Sequence, residues 1–167
     1  KSPVNRKLLQ STLLEQYAGL DLGEKLSRNI QLLSADNTFT ITTAHQPNIF
    51  TGPLYFIYKC MHAIRLADFL QEQFPDCHFV PVYYMGAEDA DLDEIGQVTV
   101  GGIQYVWKTT QTGAVGRMLV DQALIDIVTQ MEGQAGVLPQ GAAISSIWRT
   151  CFTKGKIISR AMLEMVH

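Results

Sequence analysis

The chain has 167 residues, enough for a domain with a substantial core, and its formal net charge of −3 leaves no basic surface for phosphate-backbone binding, which argues against a nucleic-acid partner. Only 17% of residues are charged, against about 25% in a usual soluble domain, while 47% are hydrophobic. That balance predicts that part of the surface is covered, by a partner chain (a homo-oligomer would fit) or by further sequence. Cys60, Cys77 and Cys151 are odd in number and far apart, so they imply reduced thiols and a cytoplasmic setting rather than a disulfide framework. No apolar run approaches the ~20 residues that span a bilayer, so no membrane partner is expected. The opening KSPVNRKLLQ has no signal-peptide core and begins with Lys, and the chain stops at His167 without a capping signal. Both ends read as those of a piece of a larger protein.

In chain order, residues 5–18 and 22–34 read as helices. Leu8, Leu9, Leu13 and Leu14 recur at helical spacing in the first, and Leu22, Leu26, Ile30 and Leu33 in the second, with Asp21 placed to cap it. After a turn at Asn37, Phe39 and Ile41 alternate with threonines as a strand over 38–43. A helix over 53–73 follows, Pro53 suiting its first turn and Thr51 or Gly52 its cap. Its stripe Leu54, Ile57, Tyr58, Met61 and Ile64 is expected to pack on a sheet, with Tyr55, Lys59 and His62 as a second, polar-tipped row. The run Phe79–Met85 fits a strand buried on both faces, with Pro81 near its start or at an edge. Strand, helix, strand makes a right-handed βαβ unit.

The pattern then changes. Residues 97–100 and 103–108, joined by Gly101-Gly102, read as a hairpin with a primed turn. Residues 114–120 are expected to add a third strand. Asp121 caps a helix to about Met131, 133–141 is a loop, and a last helix runs from Ile144 to Met162, weakened at Gly155. The expected organisation is α/β: N-terminal helices and a first βαβ unit over 1–96, a small antiparallel β insertion over 97–120, and a helical segment over 121–167.

Candidate chemistry gathers where the first strand meets its helix. His45 and Gln46 lie in the loop at the strand's carboxyl end, where α/β folds bind ligands. A histidine there can hold a phosphate or carboxylate, or act as general acid–base; the plain alternative is a loop side chain bonded to backbone. Gly52-Pro53 opens a helix whose free N–H groups favour an anion, although it matches no phosphate-loop motif and serves equally as a good helix start. Lys59 could fold its ammonium back toward that mouth or reach into water. Glu88, Asp89, Asp91, Asp93 and Glu94 follow the second strand. Such a cluster suits Mg²⁺ or an ammonium group, but it also reads as a solvated acidic helix start. An EF-hand fails, because Glu94 stands where glycine is needed. Arg117, among the glycines of Gly113-Ala114-Val115-Gly116-Arg117-Met118, could meet an anion or be an ordinary hairpin arginine.

Taken together, Thr43–Lys59 (TAHQPNIFTGPLYFIYK), Val82–Ile95 (VYYMGAEDADLDEI), the GAVGRM run and their spacing resemble the cysteine-adding BshC family of bacillithiol biosynthesis, its N-terminal part only. The specific likeness covers residues 35–120. It implies a Rossmann-like parallel sheet core with inserted segments, and an activity that attaches cysteine to the amino group of glucosaminyl-malate through an amide. His45, Gln46 and the helix mouth at Gly52, with Lys59, would then hold an anion. Glu88, Asp89 and Asp91 would receive an ammonium group or a metal, one of them taking a proton from the attacking amine. The chain departs from the pattern in having Ala44-His45 where the family often has Gly-Gln, and Ala90 where it often has histidine. ATP with Mg²⁺ is the chemical expectation for carboxylate activation. The rival readings are a nucleotidyltransferase of the same core and a non-catalytic α/β binding module.

Overall fold

The computed structural model describes residues 4–167. Its elements are helices α1 (Arg6–Gln16), α2 (Gly23–Leu32), α3 (Tyr55–Gln73), α4 (Leu92–Ile95), α5 (Gln122–Ala135), α6 (Gly141–Cys151) and α7 (Ile158–Val166), and strands β1 (Thr38–His45), β2 (His78–Met85), β3 (Gln97–Val100) and β4 (Ile103–Val106). Strands β1 and β2 form one two-stranded sheet, and β3 and β4 another. The first is parallel: His78 N–H donates to Asn37 O and Gly86 N–H to Asn37's counterpart eight residues on, His45 O, each at 3.0 Å. The same offset at both ends means that even-numbered β2 residues turn their N–H toward β1. Pro81, in the strand interior, therefore points its nitrogen at the outer edge, where no ladder bond is lost. The α/β class, with a parallel pair and a separate antiparallel pair, stands as the sequence implied.

The chain divides into two compact units, one of residues up to Thr43 with Lys59–Tyr83, the other of Ala44–Tyr58 with Tyr84–His167. In the first, Asn5 caps α1 by accepting from Leu8 N–H. Arg6 donates to the carbonyls of Leu33 and Thr38, both at 3.1 Å. Ile30 and Leu33 are buried as the periodicity of α2 required. The leucines of α1 are not: the helix has no buried residue, and Leu8, Leu9 and Leu14 face solvent. Asp21 does not cap in the expected place; Leu22 holds the cap position, and Asp21 accepts from Gly23 N–H instead.

The stripe expected to bury α3 is overturned. Leu54 and Tyr58 are 67% and 68% exposed, and Ile57 and Met61 also face solvent. The buried row is Phe56, Ala63 and Ala67, with half-buried Cys60 between them. These positions follow i, i+4, i+7 and i+11, the same helical period about one position out of phase with the expected stripe. Small side chains let a helix backbone come close to its neighbour, and a pattern read by bulk misses such a face.

The second unit holds the main core, built from Ile49, Phe50, Ile95, Trp107, Val115, Leu124, Met131, Phe152 and Ile158 among others. The hairpin β3–β4 forms in the predicted register, Val100 opposite Ile103 across two glycines at positive φ. Residues 114–120 do not extend it. Val115–Arg117 make a 3-10 turn, and the stretch beyond pairs with the segment before α7: Val120 N–H donates to Lys156 O, Gly155 N–H to Val120 O, and Ile158 N–H to Met118 O. Asp121 caps α5 as predicted, accepting from Leu124 N–H at 3.0 Å, and the same oxygen accepts from the indole N–H of buried Trp107 at 2.9 Å. The single last helix is in fact two, α6 and α7, parted at Gly155, whose φ of +83° no L side chain adopts comfortably.

Candidate functional site

The carboxyl ends of β1 and β2 lie side by side, because Gly86 N–H closes the ladder on His45 O. The two loops that leave those ends carry most of the predicted residues. Gln46 Nε2 donates to Asp89 Oδ2 at 2.8 Å and, more weakly, to Glu94 Oε2 at 3.4 Å. Asp89 Oδ1 accepts from the backbone N–H of Asp91 at 2.9 Å, so both its oxygens are engaged. Asp91 caps the short α4 by accepting from Glu94 N–H. Glu88 is exposed and meets the Tyr84 hydroxyl at 3.3 Å.

A third segment docks on this one. Val115 N–H donates to Asp89 O at 2.8 Å. Gly116 packs so closely on Ala87 that an added Cβ would stand 2.6 Å from Ala87 Cβ and 2.6 Å from its carbonyl oxygen. Only glycine permits that approach, and it brings exposed Arg117 beside the acidic loop. Thus Gly116, next to Arg117, serves loop docking rather than a hairpin.

His45 takes a different direction. Its ring stacks on Phe56, with centroids 5.4 Å apart and planes 26° apart, and tilts against Tyr55 at 5.2 Å. Gln46 is the residue seen to reach the acids. Gly52 stands at φ +60° and ψ −137°, and the space a Cβ would need is filled by Asn48. Lys59 is half-buried on the second turn of α3 and belongs to the other compact unit. The structure therefore joins Gln46, Asp89, Asp91 and Glu94 directly, sets Glu88 and Arg117 next to them in sequence and by docking, and turns the His45 ring onto the start of α3.

The electrostatics follow from these bonds. The backbone N–H of Asp91, then the Gln46 amide, hold the Asp89 carboxyl below the usual aspartate range, outweighing a smaller desolvation effect. Asp89 is therefore a fixed negative charge and a weak base. Among the described residues, no group of three or more His, Cys, Asp or Glu side chains is arranged to hold a metal ion. Sequence reasoning left two residues out of the candidate site: Glu94, counted in the acidic cluster but given no role of its own, and Asn48, a buried loop amide. A tight loop rich in Pro, Asn and Gly was the available signal for the second.

The description "Bacillithiol biosynthesis BshC, N-terminal Rossmann-like domain" matches this chain over residues 1–167. The chain belongs to the BshC family. Among curated relatives, one from Cytophaga hutchinsonii is 47% identical over 117 residues, covering 70% of this chain and 22% of its own length. One from Flavobacterium psychrophilum is 41% identical over 137 residues, covering 82% and 26%. A more distant one from Salinibacter ruber is 30% identical over 139 residues, covering 79% and 25%. Each bears the name "Putative cysteine ligase BshC". The matched stretch is thus about a quarter of the relatives' length, and within BshC it corresponds to a Rossmann-like domain. No described helix is long and apolar enough to cross a membrane.

Proposed function

We propose that this chain is the ligand-gripping domain of a cytoplasmic enzyme that joins the carboxyl group of cysteine to the amino group of glucosaminyl-malate. The observation that carries this reading is the Gln46–Asp89 bond at the adjoining ends of two parallel strands. It builds a permanent carboxylate where α/β sheets receive ligands. In amide formation the amine lone pair attacks the carbonyl carbon, a C–N bond forms, the leaving group departs with its electron pair, and the amine gives up a proton. Asp89, held ionised by Asp91 N–H and Gln46, suits holding an ammonium group and orienting it better than it suits taking a proton. Glu88 and Asp91, more exposed, are the better placed proton acceptors. Arg117 supplies positive charge for a carboxylate, the malyl group or the cysteine carboxylate. A bound nucleoside triphosphate would provide the leaving group that makes the carboxylate reactive. Because the described acids do not converge as a metal-binding set, no step is assigned to Mg²⁺.

The test is made in the full-length enzyme. Cysteine and glucosaminyl-malate are supplied with ATP, and the amide product is followed by mass spectrometry. Asp89→Asn is expected to lower kcat/KM by about a hundredfold, the range of a lost charged contact to a reacting group, with Gln46→Ala intermediate. Full activity in Asp89→Asn would remove the assignment. Product with other amines but none with glucosaminyl-malate would favour a different acceptor on the same core.

A further inference from the structure

Asn48 follows Gln46 by two residues, in the loop between β1 and α3, and is only 5% exposed. Its backbone N–H donates to Gln46 O at 2.9 Å. It occupies the cap position of the 3-10 turn Ile49–Thr51, yet its side chain makes no capping bond. Its Cβ, Cγ and Nδ2 lie along Gly52 instead. Among the described residues, no donor reaches its buried Oδ1. A buried amide oxygen left without a partner is destabilising, and native folds keep few of them. This one lies beyond the carboxyl end of a parallel strand, in the same loop as the residue that holds Asp89.

We infer that Asn48 Oδ1 is a ligand-binding acceptor for an amino group. The inference rests on the ligase reading. An oxygen can only accept, so its partner must carry N–H or O–H. The loop also holds Gln46, which draws in the carboxylates of Asp89 and Glu94. Carboxylates gathered at the same loop favour a donor with positive character. Access runs through movement of the loop, and Phe50, Thr51 and Gly52 are three consecutive residues at positive φ, two of them not glycine. Such backbone stores strain that a rearrangement on binding can release. Two sources share the required chemistry: the ammonium of an amino acid, and the exocyclic amine of a nucleotide base.

Calorimetry on the full-length protein with two matched pairs tests this. L-cysteine is compared with 3-mercaptopropionate, which lacks the amine, and ATP with ITP, which lacks the base amino group. In one pair the amine-bearing member should bind wild type more tightly, and Asn48→Leu should weaken that member about tenfold while leaving the other unchanged. The pair affected names the source. Equal effects on both members of each pair, or none, would overturn the inference, as would failure of wild type to distinguish either pair. Should the leucine variant not fold, Asn48→Asp decides: it keeps the acceptor and must keep the discrimination. Amide product from wild type is measured separately, so a protein that makes the product but ignores Asn48 sinks only the inference. One that discriminates amines but makes no amide sinks the ligase reading.

Discussion

Gly52 is held by a neighbour as well as by its own backbone. A Cβ there would stand 2.6 Å from Asn48 Cβ, and the residue sits at φ +60°. Gly52→Ala is expected to cost about 1–3 kcal/mol in urea unfolding of this chain. Adding Asn48→Gly should restore the steric part and leave the cost of a side chain at φ +60° and ψ −137°, a region that essentially only glycine adopts. The neighbouring carboxylate gives a pH prediction. The folded pKa of Asp89 lies below its ordinary 3.8, so its contribution to stability is present above that value and is lost as pH falls through the lower folded one. Gln46→Ala removes one of the two main donors and should move the Asp89 titration upward, read from its side-chain carbon by NMR; an unmoved midpoint would separate the two residues. Gln46, Asp89 and Asp91 were legible in the sequence because they follow strand ends. Their bonding was not, since Gln46 and Asp89 are 43 positions apart, with a whole helix and a strand between them.

Helix α5 depends on one side chain used twice. Asp121 Oδ1 accepts both Leu124 N–H and the indole N–H of Trp107. Burial alone would raise its pKa, but hydrogen bonds from Thr109, Trp107, Leu124 and Gln111 outweigh it and hold it low. Its support is therefore present above the unfolded aspartate pKa and fades as pH drops through the folded value. Asp121→Ala loses a helix cap worth about 1 kcal/mol and strands a buried indole N–H at about 1–3 kcal/mol, so thermal unfolding at pH 7 should show a loss of roughly 2–4 kcal/mol. The cap was readable because aspartate immediately precedes an apolar helical period. The fate of residues 114–120 was not. Their partners, Gly155 to Ile158, are some 35 residues away, and nothing local distinguishes a hairpin's third strand from a ribbon to a later segment. The break at Gly155 was visible as a weakness, but a weak position and a helix boundary look alike until the residue's φ is known.

At the scale of the whole molecule, the low charge content has a visible counterpart. Leu54, Ile57, Tyr58 and Met61 form an apolar row on α3 open to solvent, and Thr40, Thr42 and Ala44 leave one face of β1 uncovered. Parallel strands are ordinarily covered on both faces. Replacing Tyr58 and Met61 by lysine should reduce self-association of the isolated chain in light scattering, with stability unchanged within about 0.5 kcal/mol. A large stability loss would mean that the row is already packed. Composition predicts that some surface is covered, whereas periodicity assigned to the interior a row of α3 that faces solvent.

Pro81 bears on how this sheet can be extended. Since its nitrogen lies on the outer side of β2, that side lacks a donor in the middle of its length, and an incoming strand would find a gap there. The opposite flank, along β1, contains no proline, and Arg6 occupies its first carbonyl. Strand addition, whether by a companion segment or by a misfolded copy, therefore meets a stop signal on the β2 flank that the β1 flank lacks.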